Sequence, residues 1–239
     1  MMTWAEAAAR KEGIGREEAD QWALDSHRRA IQAMDAGKFV EEITPVTVKQ
    51  KGEELSLGRD ETPRRETTLE KLATLRAVYP DGICTAGNSS SENDGAAALV
   101  ATTPEIAESH GVKPLVYLKS FGVAGADPTL TYPAVPVAVN KALQRAGLAI
   151  DSIDLIEIQE AFAAQTLADA KLMGLSTADL ERKVNVNGSG ISLGHPIGAT
   201  GSIRLVTLIH EMIRRDVRYG LVTICGGGGL GICAIVERR

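Results

Sequence analysis

The residues best suited to chemistry are His195 and Cys225, each set among glycines. His195 lies in Asn185-Val-Asn-Gly-Ser-Gly-Ile-Ser-Leu-Gly-His-Pro-Ile-Gly-Ala-Thr-Gly201, which holds five glycines in seventeen residues. Such glycines permit turns closed to residues with a Cβ, and they let a ligand approach main-chain N–H groups. Pro196 stiffens the chain just after the imidazole. Histidine has an ordinary pKa near neutrality, which suits it to proton transfer. Cys225 ends the apolar run Leu221-Val-Thr-Ile-Cys and precedes four glycines. There it is placed to act as a thiolate or proton donor beside bare backbone N–H groups. Each residue has a plainer alternative: a glycine-rich turn can be purely structural, and a cysteine on an apolar strand can be a small core hydrophobe.

The elements that must position these groups can be read from periodicity. Residues 4–36 read as two helices separated by Gly13-Ile-Gly15, with Ala19, Trp22, Ala23, Ala30 and Met34 on one face of the second. Further helices are predicted over 67–76, 96–102, 135–147, 161–173 and 198–215, with a short one capped by Thr103-Pro104. Strands are predicted over 42–48, 114–123, 154–158, 184–186, 219–225 and 230–237, and the charged stretch 51–65 reads as a loop or hairpin tip. From Cys84 onward strands alternate with helices, which indicates a layered α/β domain.

Composition limits the function classes. Hydrophobic residues make up 44% of the 239-residue chain and the formal net charge is −5. This excludes a basic field for nucleic acid or an anionic membrane, so phosphates of a ligand would be met by local arginines and backbone. No apolar run is long enough to span a bilayer, and the opening residues lack the apolar core of a secretory signal. A cytoplasmic location is expected. Cys84, Cys225 and Cys233 show neither metal-ligand spacing nor an even disulfide framework, so no metal is expected and the thiols are read as reduced.

The two glycine-rich stretches resemble, nearly residue for residue, the C-terminal signature motifs of the thiolases, the acyl-CoA C-acetyltransferase family. Gln159-Glu-Ala-Phe-Ala-Ala-Gln165 is similar to that family's Asn-Glu-Ala-Phe-Ala block, and Thr85-Ala-Gly-Asn88 and Asn93-Asp-Gly-Ala96 extend the likeness. The resemblance implies a thiolase-like layered α/β fold built from two similar halves with a loop domain inserted in the first. It assigns residues 1–84 to a partial, helical, coenzyme-A-contacting loop domain, 85–112 to the last strand and helix of the first half, and 113–239 to the complete second half. The motif of the family's acylated cysteine has no match, and Cys84 reads as a buried structural thiol.

The chemistry implied is thiolytic cleavage of a 3-oxoacyl-CoA, or the reverse Claisen condensation, with coenzyme A or acyl-CoA as substrate and no permanently bound cofactor. By resemblance His195 activates the nucleophile, Cys225 is the acid/base thiol, and the Gly227 N–H is an oxyanion donor. Gln159 stands where the family has an asparagine whose amide positions a water in the oxyanion site. Arg64, Leu75, Ala86, Ser90, Ala161 and Phe162 match coenzyme A contacts, Ser90 that of a serine bonded to the pantetheine arm. Tyr132 departs from the family by replacing a glycine.

Three readings follow: a split subunit, homo- or hetero-oligomeric, that works with a polypeptide carrying the first half; a non-catalytic acyl-CoA-binding scaffold; and a truncated thiolase. Two physical expectations accompany them. An apolar face should be exposed, chiefly along 203–213 and the glycine-rich helix starts, and Cys225, if the site is assembled, should be the most acidic and reactive of the three thiols.

Overall fold

A computed structural model describes residues 2–128 and 133–239; Tyr132 lies outside the described residues. Helices α1 (Met2–Glu12) and α2 (Arg16–Asp35) open the chain, divided at the predicted Gly13–Gly15 break. Glu17 and Glu18 occupy the first turn of α2, where carboxylates complement the helix dipole. Its buried stripe includes Ala19, Trp22, Ala23, Ala30 and Ala33. The strand expected over 42–48 begins later, as β1 (Val46–Gln50), and pairs in a hairpin with β2 (Glu53–Leu57) from the charged stretch. Its two turn residues, Lys51 and Gly52, have φ of 51° and 88°, the left-handed pair that matches strand twist in a two-residue turn. The short helix α3 (Leu69–Ala73) is capped by the Thr68 hydroxyl.

The segment predicted as a helix over 96–102 is not one. It has no regular secondary structure and is exposed, with Leu99 and Val100 open to solvent. A short apolar run gains little as an isolated helix, because nucleation is unfavourable and no packed face stabilises it. Helix α4 (Pro104–Ser109) follows, with Thr103 as N-cap and proline in its first turn, as predicted.

The main sheet has β3 (Tyr117–Gly125) at one edge, then β6 (Leu230–Glu237), β5 (Tyr219–Gly226) and β4 (Leu155–Ile158). Only β4 and β5 run parallel. Residues 184–186 do not form the predicted strand. Val184 makes a single bridge to Ile156, and Asn185 then turns at φ 47°. Its amide side chain instead exchanges hydrogen bonds with the Ile158 backbone.

Helix α5 (Ala134–Ala146) lies on one face of the sheet, ended by Gly147 in the left-handed region. It sits close against the strands: a Cβ on Gly122 would fall 2.0 Å from the Ala138 carbonyl oxygen, and one on Gly231 2.4 Å from that of Ala134. Helix α6 (Ala163–Leu172) contributes Ala163, Ala164 and Leu167 to the same core, with Ile156, Ile158, Leu221 and Ile235 from the sheet. Helices α7 (Thr177–Arg182) and α8 (Gly190–Leu193) were not distinguished in the sequence; a Ser176–Asp179 capping box starts α7.

On the other face, α9 (Thr200–Arg215) packs Leu208 and Met212 on Leu155, Val222 and Val236. It covers β4 and β5 and leaves the far side of the sheet bare. There Leu118, Phe121, Val123, Leu230 and Ile232 are between 48% and 63% exposed. The pairs Val123–Ile232 and Phe121–Ala234 put these side chains on one face. The expected apolar exposure therefore lies on β3 and β6, not along 203–213, whose residues are mostly enclosed by the sheet. Among the described residues no helix is long and apolar enough to cross a membrane.

Candidate active site

The histidine loop is held by the segment that precedes it by a hundred residues. The His195 backbone N–H donates to the Ser91 carbonyl at 3.1 Å and to Asn93 Oδ1 at 3.2 Å. Gly194, at φ 84°, leaves no room for a side chain: a Cβ there would lie 2.4 Å from Asn93 Oδ1. A Cβ on Gly95 would lie 2.7 Å from the Pro196 ring. The Asn93-Asp-Gly block and the Gly-His-Pro turn are thus one packed unit.

The Thr200 hydroxyl lies 2.7 Å from His195 Nδ1 and 2.9 Å from the Pro196 carbonyl. When its single proton goes to that carbonyl, the oxygen accepts from Nδ1–H and Nε2 keeps its lone pair. Burial lowers the His195 pKa, and Arg204 lowers it further against an opposing pull from Glu92. The ring is neutral near pH 7 and able to accept a proton.

Gln159 sits at the end of β4, where its backbone N–H donates to the Thr223 carbonyl, two residues before Cys225. Its amide packs on α8: a Cβ on Gly190 would lie 2.3 Å from Gln159 Nε2. Neither amide atom has a protein partner, although the residue is 1% exposed. A buried, unpartnered amide is costly unless something else bonds it. Neighbouring Glu160 is fully satisfied. It accepts from Trp22 Nε1, Ser26 Oγ, Asn185 Nδ2 and the Ile191 N–H, tying α2, the Asn185 turn and α8 to the end of β4.

Cys225 is partly buried near the end of β5, opposite Gly231. Gly227 is exposed in the following turn, where Gly228 and Gly229 take left-handed φ values. The expectation of an acidic thiol is corrected here. Burial pushes Cys225 up to about 12, and the buried carboxyl of Asp169 on α6 adds to the effect. The backbone hydrogen bond that opposes them is the smallest of the three causes. Cys84 and Cys233 are also pushed to about 12, chiefly by burial. All three are free thiols. Among the described residues the hydrogen bonds of His195 go to Ser91, Asn93 and Thr200, not to Cys225.

A cleft of about 280 Å³ lies between α2, α3 and the 86–91 segment, and Arg64, Leu75 and Ala86 line it. Ser90, Ala161 and Phe162 do not line it but stand directly beside it. Ser90 donates through its N–H and hydroxyl to the Ala161 carbonyl, and Ser89 bridges to Phe162. The Ser90 hydroxyl expected to face the cleft is thus engaged with backbone, while Ser89 and Ser91 line the wall.

Two residues passed over in the sequence belong here. His27 lines the cleft and accepts the Arg64 N–H at 3.2 Å; burial, then Arg64, lowers its pKa to about 4. Arg204 is buried behind the His195 loop. Each stands at helical spacing from buried apolar residues, His27 from Ala23 and Ala30 and Arg204 from Leu208, which was the available signal. No group of His, Cys, Asp or Glu among the described residues could hold a metal ion.

Two family profiles match this chain: that described as "Thiolase, C-terminal domain" over residues 112–238, and that described as "Thiolase, N-terminal domain" over residues 1–105. The chain belongs to the thiolase family. It is 47% identical over 236 residues to an acetyl-CoA acetyltransferase of Chromobacterium violaceum and, over the same length, to a beta-ketothiolase of Cupriavidus necator. Each alignment covers 98% of this chain and 59% of the relative. The crystal structure of the Bacillus anthracis acetyl-CoA acetyltransferase superposes with a TM-score of 0.96 at 43% identity, over 100% of this chain and 60% of that one. Human mitochondrial 3-ketoacyl-CoA thiolase gives 0.92 at 37% identity, with the same coverage. This thiolase chain therefore spans about three-fifths of the length of these relatives, and the likeness shows the α/β thiolase fold. Such relatives are transferases acting on coenzyme A thioesters.

Proposed function

We propose that this chain supplies the acid–base side of a thiolase active site, acting on a 3-oxoacyl-CoA in cleavage or on two acyl-CoA molecules in condensation. The acyl-carrying cysteine belongs to a first-half portion outside these residues, provided as a partner or as further chain. Residues 1–84 serve as the loop domain, 85–112 as the end of the first half and 113–239 as the second half. The observation that carries the reading is the contact of His195 Nδ1 with the Thr200 hydroxyl at 2.7 Å. An Nδ1–H donated to that oxygen leaves Nε2 to take the proton of an attacking thiol.

Cys225 acts in the cleavage direction as the acid. A thiol held near a pKa of about 12 by burial keeps its proton at neutral pH. It can give that proton to the enolate carbon as the C2–C3 bond breaks, leaving a thiolate to be reprotonated before the next turnover. In condensation the same thiolate removes the α-proton. The Gln159 amide, unpartnered among protein atoms, bonds an oxyanion or a water placed there, together with the Gly227 N–H. Arg64, Leu75 and Ala86 hold coenzyme A in the cleft, with Ser90, Ala161 and Phe162 shaping its inner edge.

The test is thiolysis of acetoacetyl-CoA by the chain alone and by the chain mixed with the first-half portion of a relative. No turnover is expected alone, turnover is expected in the mixture, and His195→Ala should lower it by about 10²-fold or more. Turnover by the chain alone, or an active His195→Ala mixture, refutes the assignment.

A further inference from the structure

Arg204 stands in the second turn of α9 and is 1% exposed, the largest of the fully buried side chains. Its Nη2 donates to the Gly194 carbonyl at 3.3 Å, the carbonyl immediately before His195. Its Nε and Nη1 have no protein partner. Glu157 of β4 and Glu42 lie close by, and each keeps one unpartnered carboxyl oxygen; the other Glu42 oxygen accepts from Thr207. Burying a guanidinium with so few hydrogen bonds is costly, and an apolar side chain of similar size would pack there with less penalty. Packing alone does not account for a cation at this position.

We infer that Arg204 is a positioning residue for His195: through the Gly194 carbonyl it holds the turn from which the imidazole projects, and it places a cation behind the ring. The carboxyls around it are raised by burial, which reduces the negative charge they set against it. Burial pushes Glu157 up to about 8 and Glu42 up to about 7 even though Arg204 opposes both shifts. Asp60 is raised in the same way. The groups that act on His195 are Arg204 on one side and Glu92 on the other, and Arg204 is the stronger. A ring facing this cation resists a second proton, so Nε2 stays open as the accepting atom. This rests on the proposed function only in giving His195 its task.

The experiment reads the imidazole directly and needs no turnover. Long-range 1H–15N spectra of the four histidines would be followed against pH in the wild-type chain, Arg204→Met and Arg204→Lys, with His195→Ala assigning the signal. In the wild type His195 is expected to titrate below the ordinary range as the Nδ1–H tautomer. In Arg204→Met its midpoint should rise by about one pH unit and the tautomers should mix, while His110 and His210 stay in place. Arg204→Lys keeps the charge without the planar fork, so the low midpoint should persist while the tautomer mixes. An unchanged His195 titration and tautomer in a folded Arg204→Met protein overturns the inference. If that variant does not fold, an unchanged tautomer in Arg204→Lys overturns it instead. Absence of thiolysis in the reconstituted mixture, with these spectra as expected, would count against the proposed function alone.

Discussion

Glu157 offers the sharpest quantitative test of the buried site. It lies on β4, 3% exposed, with one oxygen unpartnered. Burial, only partly offset by Arg204, raises its pKa from 4.5 to about 8. The folded protein thus binds this proton more tightly than the unfolded chain does. Stability from this group is fully present below pH 4.5 and is lost as the pH rises toward 8. The whole loss corresponds to about 5 kcal/mol, at about 1.4 kcal/mol per pH unit of separation. At pH 7 about 3 kcal/mol of it has been expressed, because only the stretch from pH 4.5 to 7 has been crossed. Glu157→Gln has nearly the shape of the protonated acid and cannot ionise. It should match the wild type at pH 4.5 and exceed it by about 3 kcal/mol at pH 7. Asp169 is also raised by burial, but it is present in both proteins and cancels in the difference. Glu42 helps to raise Glu157, so its own titration shifts with the substitution and is part of the measured difference. Urea unfolding followed by tryptophan fluorescence suits the measurement, since Trp22 is buried and bonded to Glu160. Parallel stability curves for the two proteins from pH 5 to 8 would refute the reasoning.

Gly122→Ala should destabilise the fold by about 3 kcal/mol or more, because its Cβ would sit 2.0 Å from the Ala138 carbonyl; a urea midpoint equal to that of wild type would show that α5 is not so closely seated. At neutral pH a small alkylating reagent should react slowly with all three thiols, since each is pushed to about 12. It should label Cys225 first, the other two being 1% exposed. Peptide mapping that finds Cys84 or Cys233 modified earlier would contradict the packing around them. The bare face of β3 and β6 should drive self-association. Phe121→Lys with Ile232→Lys should shift the chain toward monomer in sedimentation, and an unchanged distribution would show that this face is not the contact.

The sequence by itself determined what depends on near neighbours. The α2 stripe, the Thr103–Pro104 helix start, the Gly147 stop and the glycine spacing around His195 are local patterns, governed by backbone allowance and side-chain periodicity. Both blocks that meet at His195 could be named before any coordinates. Only the tertiary structure decided the rest. Residues 96–102 have helical spacing but no surface to pack on, so propensity lost to solvent. Asn185 ended a predicted strand because its amide found the Ile158 backbone. The proton affinity of Cys225 was misjudged from its glycines. It is set chiefly by desolvation and then by Asp169, a residue 56 positions away in sequence that α6 brings near it. Arg204 is buried only because α9 seats it behind the histidine turn. Burial and charge proximity are sums over groups distant in sequence, and no local pattern records them.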